Sequence, residues 1–353
     1  MAISNTRSLK ILIVGSNAKG SLENCYLRTL QKIGVRDIDI FDISLYGYYL
    51  SRQEFIFRAV NRLTFSISMW LAQQRLLRFL TDNEGTYNVV IVFKGMEFSR
   101  RILEACRSIC PRATWVNINP DDPFNIESRG STNSNVINSL SFYDVYFIWS
   151  RNLVRKLSER YCKRVEYLPF GYDPDFHLPP SEPVLIESNL VSFVGSWDFE
   201  RETILTKLAD YNLRIYGSNW QRVSKRSPIY NKITRRGIYG NDLSQVIYRS
   251  MVCLNLLRSQ NKGAHNMRTF EIPAMGGLML TTRSAEQNEF FPEGEGCLMF
   301  DNVNELRGQL DHVLENPALR QRIREQGTKL VHGNSYVDRA KLLLNVIMDV
   351  VRV

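Results

Sequence analysis

The feature that most constrains this chain is a succession of short, mainly apolar runs, each followed by a stretch with helical spacing. In the first half the runs fall at 9–14, 38–41, 89–93, 114–118, 145–149 and 165–168; in the second they fall at 190–194, 213–216, 252–256, 278–281 and 297–300. A strand with one wet face alternates apolar and polar residues, whereas a strand apolar throughout is covered on both faces. Helical spacing near 21–33, 51–80, 98–109 and 151–161, and again near 198–210, 241–250, 266–275, 302–316 and 318–330, predicts the covering layers. The expected fold class is therefore α/β, with two Rossmann-like halves built by right-handed crossovers. Residues 171–189 are rich in proline and polar side chains and read as a linker. This sets an N-terminal domain at 1–170, a C-terminal domain at 190–334 and a last helix within 335–353. A length of 353 residues agrees with two domains rather than one core.

Composition narrows the function classes. Hydrophobic residues at 44% and charged residues at 23% describe an ordinary globular enzyme. The six cysteines are scattered; Cys106 and Cys110 are helix-spaced but have no second Cys/His pair, which argues for buried thiols rather than zinc. No apolar run approaches the ~18–20 residues of a membrane span, and the start MAISNTRSLK carries no signal core, so a cytoplasmic protein is expected. A net charge of +9 calls for a negative partner. The cations concentrate at 221–236, at 151–164 and at 48–80, the last interleaved with aromatic residues. Two readings of 48–80 stand side by side: a long core helix whose arginines reach out to solvent, or a helix lying on the inner face of an anionic membrane. None of the stretches carries a nucleic-acid-binding module, so nucleic acid is not an expected partner.

The chemistry is most legible in 264–277, AHNMRTFEIPAMGG. An apolar run feeds a polar loop, and the loop feeds a helix predicted to carry His265, Asn266 and Arg268 in its first turn and Glu271 one turn on. A helix start offers unpaired N–H groups and roughly half a positive charge, a seat for phosphate. An arginine there can grip two phosphate oxygens, and a carboxylate on the same face can accept from two sugar hydroxyls. Together these residues describe a pocket for a nucleotide-diphosphate sugar. Ligands of open α/β sheets sit beyond the carboxyl ends of the strands, so the other loops there matter too. Gly195 and Ser196 are expected to bring backbone N–H groups toward the same diphosphate. Gly15, Ser16 and Asn17 follow the first strand; Asn17 stands where a dinucleotide fingerprint needs glycine, which leaves an acceptor-side turn. Asp121 and Asp122, set between Pro120 and Pro123, are the best-placed carboxylates for a catalytic base, with turn formation as the other reading. Adjacent carboxylates repel, which would raise one pKa toward a useful value. No Asp-x-Asp follows a suitable strand, because Asp37-Ile38-Asp39 opens one; no metal and no bound cofactor are expected.

The segment 264–277, together with 193–205, 236–250, 278–300, 119–124 and 168–175, resembles the GT-B glycosyltransferases of group 1, most closely the branch that includes the CgeB-like spore-maturation proteins. The resemblance implies two Rossmann-like domains facing across a cleft, with the C-terminal helix packing back on the first. It implies transfer of a hexose from a nucleotide sugar, UDP-linked, to an acceptor hydroxyl in polysaccharide or glycoconjugate synthesis, the acceptor being a glycan, lipid, protein or small molecule. It further implies a ribose-binding role for Glu271, phosphate contact by Arg201 and base packing by Tyr239 in the 236–241 loop. Arg201 as a solvated helix residue and Tyr239 as a cover for the sheet edge remain alternatives. Many retaining members carry another glutamate eight positions before the ribose-binding one; here that position is Gly263. The departure leaves retention and inversion both open and turns attention to His265 and Asn266 for the donor sugar or leaving phosphate. An epimerase of nucleotide sugars on the same fold, and a basic nucleic-acid-binding protein, are the alternative functions.

Overall fold

The computed structural model of the chain describes residues 9–46, 55–126, 131–182, 184–234 and 236–351. These divide into two compact units: Met1–Pro169 with Tyr336–Val353, and Phe170–Ser335.

The first unit runs β1 (Lys10–Gly15), α1 (Leu22–Lys32), β2 (Asp37–Asp42), α2 (Phe55–Asp82), β3 (Val89–Phe93), α3 (Arg100–Ile109), β4 (Thr114–Asn119), α4 (Ser134–Ser139), β5 (Val145–Ile148), α5 (Arg151–Arg160) and β6 (Val165–Tyr167). Its six strands form one parallel sheet in the order β2-β1-β3-β4-β5-β6. The central strands β3, β4 and β5 are buried along their whole length; β3 and β5 are apolar throughout, whereas β4 also buries Asn117 and Asn119. Ser21 caps α1 by accepting from the Asn24 N–H, which fixes where the loop after β1 ends.

The second unit contains β7 (Leu190–Val194), α6 (Phe199–Thr206), β8 (Asn212–Tyr216), α7 (Gly240–Arg249), β9 (Val252–Asn255), α8 (Arg268–Ala274), β10 (Met279–Thr282), α9 (Ala285–Phe290), β11 (Leu298–Phe300), α10 (Val303–Glu315) and α11 (Pro317–Leu330). Its five strands are also parallel, ordered β11-β10-β9-β7-β8. Phe193, Trp220, Leu254, Leu280 and Leu310 lie in one buried cluster beneath the helices. Residues 171–189 are tied into this unit rather than standing apart as a linker. Tyr172 N–H donates to the Asn334 carbonyl, the Ser244 hydroxyl donates to the Leu178 carbonyl, and Glu187 N–H donates to the Arg249 carbonyl.

The last helix, α12 (Tyr336–Val350), belongs to the first unit. It packs on α1, where Tyr336 meets Tyr26 edge-on at 5.6 Å, and buries Ala340, Leu343 and Ile347. Each sheet reverses its order of strand addition once, between β1 and β3 in the first unit and between β7 and β9 in the second. The loops after those strands diverge to opposite sides and leave a crevice between them.

Candidate functional site: an arginine cluster at the switch point of the second unit

The crevice beyond β7 and β9 is built on two close-packed glycines. Gly217, after β8, has φ +138°, and a Cβ there would stand 2.1 Å from the Gly195 carbonyl oxygen. A Cβ on Gly195 would meet the Phe193 ring at 2.7 Å. The two turns are therefore locked backbone to backbone. Gly195 N–H donates to the Tyr216 carbonyl at 2.9 Å and Trp197 N–H to the Ser218 carbonyl at 2.9 Å. This corrects one expectation: the Gly195 N–H is consumed within the sheet and is not available to a diphosphate.

Arg201, Arg258 and Arg268 converge on this turn, the latter two close enough to lower the proton affinity of Arg201. Arg201 is the structural member. Its guanidinium donates to the Leu256 carbonyl at 2.8 Å and to the Ser196 carbonyl at 3.0 Å, and burial, then Arg258, pushes its pKa down to about 10. It ties the loop after β7 to the loop after β9 instead of reaching outward as a phosphate contact or a solvated residue. Arg258, which no sequence pattern marked, is the more exposed: it donates to the Ser196 hydroxyl at 2.9 Å and to Asp198 at 3.3 Å. Arg268 donates to the Val194 carbonyl at 3.3 Å and pairs with Glu271; burial lowers its pKa to about 10. The cluster has only Asp198 and Glu271 as ion-pair partners among the described residues, so its charge is incompletely matched.

Glu271 is 4% exposed, and its second oxygen faces His177 Nε2 at 3.7 Å. His177 comes from the segment read as a linker. Its Nδ1 accepts from the Asp173 N–H at 3.0 Å, which places the ring proton on Nε2, toward Glu271. Burial and then Arg268 hold the His177 pKa at about 4, so the imidazole is neutral and faces the carboxylate as a polar neighbour, too far for a hydrogen bond. Tyr239 is 79% exposed, lies on Gly237 and interacts electrostatically with Arg268. It presents a free aromatic face rather than covering the sheet edge.

His265 and Asn266 require correction. Both precede α8 instead of lying in its first turn. His265 is fully buried; Nε2 accepts from the Phe170 N–H at 3.1 Å and Nδ1 meets Glu286 at 3.1 Å. With both nitrogens engaged and no exposed edge, the ring braces the loop and has no path to a substrate proton. Asn266 accepts from the Thr269 N–H at 3.1 Å and donates to Asn255 at 2.9 Å. It therefore caps α8 and occupies an N–H group expected to face phosphate. Gly263 has φ +80°, a left-handed conformation that explains why no glutamate stands there.

The first unit gathers carboxylates and one lysine at its own switch point. Asp121 pairs with Lys94 at 2.6 Å, while Asp122 accepts from the Phe124 N–H at 2.9 Å and so closes a turn. The two aspartates thus have separate tasks. Lys94 has φ 59°, strained for a residue with a side chain, and Gly95 after it has φ 89°. Nearby Glu97 is 7% exposed, and burial raises its carboxyl to about 7; Glu23 is raised for the same reason. Neither glutamate was signalled by the sequence. The Gly15 turn exists to admit Glu23, whose Cγ lies 2.5 Å from where a Gly15 Cβ would be. Ser16 and Asn17 complete that turn: the Ser16 carbonyl accepts from Ser21, and Asn17 bonds Asp42 and Asn24.

Among the described residues no group of three or more His, Cys, Asp or Glu side chains is placed to hold a metal ion, and no helix is long and apolar enough to cross a membrane. All six cysteines are free thiols. The basic stretches are partly absorbed locally: Lys156 stands over Phe124 at 3.8 Å, Arg151 over Tyr167 at 4.4 Å and Arg222 over Trp197 at 5.0 Å. A surface groove of about 620 Å³ along 180–187 and α7 includes none of the arginine-cluster residues.

Two parallel-sheet, Rossmann-like units, the second carrying an arginine cluster beside a buried glutamate and an exposed tyrosine, give the chain a GT-B fold. Residues 201–345 match a family described as glycosyl transferase-like. The fold matches sucrose-phosphate synthase from Thermosynechococcus elongatus, with TM-score 0.67, 13% identity, and 97% of this chain and 98% of that chain covered. It matches Anabaena HepE in complex with UDP-glucose, with TM-score 0.66, 12% identity and coverage of 97% and 99%. It also matches the trehalose-6-phosphate protein of E. coli bound with UDP-2-fluoro glucose, with TM-score 0.64, 14% identity and coverage of 97% and 100%. No curated protein matches the sequence.

Proposed function

We propose that the chain transfers a sugar from a nucleotide-diphosphate sugar, of UDP type, to an acceptor hydroxyl without a metal ion. The observation that carries this reading is the arginine cluster at the β7/β9 switch point, with Glu271 buried beside Arg268 and the Tyr239 ring open to solvent. In the reaction the bond between the anomeric carbon and the diphosphate oxygen breaks while a bond to the acceptor oxygen forms. The leaving diphosphate gains negative charge, and Arg258 and Arg268 stand preorganised to neutralise it; Arg201 holds the loop that fixes them. Glu271, held by Arg268, accepts hydrogen bonds from the ribose hydroxyls, and Tyr239 packs on the base. The UDP-glucose bound to HepE and the UDP-2-fluoro glucose bound to the E. coli protein support a uridine donor.

An inverting transfer would need a base for the acceptor proton. Asp121 is the candidate of the aspartate pair, because Asp122 is committed to its turn. Lys94 holds Asp121 in place through their ion pair at 2.6 Å, and Glu97 beside Lys94 can take up a proton near neutral pH. The test is a thermal-shift screen of nucleotide sugars, with Glu271→Ala and Arg268→Ala as controls, followed by assay of UDP release with and without acceptors. Stabilisation by uridine diphosphates that both variants abolish supports the reading. No stabilisation by any nucleotide sugar, or stabilisation unchanged in both variants, overturns it.

A further inference from the structure

The helix α2 is apolar on two opposite faces. Its inner face buries Ala72, Leu76 and Leu80 and packs on α3, and Gln73 donates to the Glu97 carbonyl. Turned half a revolution away, Ile67 is 57% exposed, Trp70 57% and Leu71 41%, spaced i, i+3 and i+4 so that they share one patch. The next two turns on that side carry exposed Arg75 and Arg78. Among the described residues neither arginine is ion-paired, and no acidic residue occurs between Phe55 and Thr81. Exposed apolar side chains opposite a buried face, with cations beside them, are the make-up of a helix that lies at a boundary between media, and this one has its outer side in water.

We infer that the outer face of α2, centred on Ile67, Trp70 and Leu71 and bordered by Arg75 and Arg78, docks on an anionic lipid surface. Charge decides the occupant. A second copy of the chain would bring the same cations against themselves, whereas an anionic bilayer neutralises them and takes the apolar side chains. Trp70 suits the boundary layer, with an apolar ring and one polar N–H. Such docking would hold the enzyme where lipid-linked acceptors reside, yet it stands independently of the transferase reading.

The test is co-flotation of the full chain with vesicles of phosphatidylcholine and phosphatidylglycerol, against vesicles of phosphatidylcholine alone. Flotation is expected with the anionic vesicles only, and it weakens as salt is raised. Trp70 emission shifts to the blue and is quenched by lipids with brominated chains; Trp115, Trp149 and Trp220 are buried, and the Trp70→Phe variant supplies the blank for them and for the half-buried Trp197. Ile67→Ser with Leu71→Ser abolishes flotation, and Arg75→Gln with Arg78→Gln weakens it about 25-fold, about fivefold per arginine. All these side chains are exposed, so melting temperature and nucleotide-sugar stabilisation stay at wild-type values, which separates failure here from failure of the donor site. The inference is overturned if the protein ignores anionic vesicles or if the serine variant floats as well as wild type. It is equally overturned if the chain dimerises through this patch, seen as a sedimentation shift that the serine variant removes.

Discussion

Replacing Glu97 by Gln should make the protein more resistant to unfolding at alkaline pH than at acid pH, relative to wild type. Burial raises the Glu97 carboxyl from 4.5 to about 7, and the side chain is 7% exposed, so solvent does little to screen the cost. The folded chain binds this proton more tightly than the unfolded chain. Below pH 4.5 both states hold it and the stabilisation is fully present. As pH rises from 4.5 toward 7 the unfolded state releases it first, and stability declines until the folded carboxyl ionises too. At ~1.4 kcal/mol per pH unit, the shift corresponds to a loss of about 3 kcal/mol, most of it between about pH 5 and 8. Glutamine keeps the shape without the charge and escapes the loss. Urea unfolding of wild type and Glu97→Gln at both pH values measures it directly. The variant's advantage should grow by about 2–3 kcal/mol from acid to alkaline conditions. Parallel stability curves would show that Glu97 has no raised pKa, and would remove it from the proton route beside Lys94.

Arg258→Ala and Arg268→Ala should each weaken UDP binding by about 10- to 100-fold, the worth of a charge-assisted hydrogen bond, by calorimetric titration. Arg201→Ala should instead lower the melting temperature without ligand, because it leaves the Leu256 and Ser196 carbonyls unserved. Gly217→Ala should cost more than about 4 kcal/mol or prevent folding of the second unit, since its Cβ would stand 2.1 Å from the Gly195 oxygen; a well-folded variant with normal UDP binding would contradict the backbone lock. His265→Ala should lose about 2–4 kcal/mol of stability while kcat per folded molecule stays within a few-fold. A thousandfold loss of kcat at unchanged melting temperature would return His265 to proton transfer. His177, held at about 4, gives donor binding no inflection near pH 6.5; such an inflection, lost in His177→Ala, would show that the ring ionises in the free protein.

What could be read in the chain was whatever local pattern determines. β3 and β7 are bounded to the residue, because strands buried on both faces leave a dense apolar signature, interrupted in β7 only by Ser192. The short helices α4 and α9, six residues each, escape the sequence reading, because under two turns no amphipathic period repeats. The start of α8 was set too early because Asn266 and His265 look like first-turn residues, and only the fold reveals that one is a cap and the other is buried against Phe170 and Glu286. Arg258, His177 and Glu97 were invisible for a related reason. Each becomes notable through neighbours far away in sequence: Ser196 for Arg258, Glu271 for His177, and Lys94 with Glu23 for Glu97. Arg268 and Glu271 were legible because they lie three positions apart on one helix.

The placement of α12 has a consequence for biosynthesis. The first unit needs Tyr336, Leu343 and Ile347 to seal the surface of α1, yet those residues leave the ribosome after every strand of the second unit. The later-made half can mature while the earlier-made half still waits, half-closed, for its final segment. Late frameshifts should therefore injure the beginning of the molecule first, and a nascent-chain protease experiment would find residues near Tyr26 cut long after those near Trp220 have become resistant.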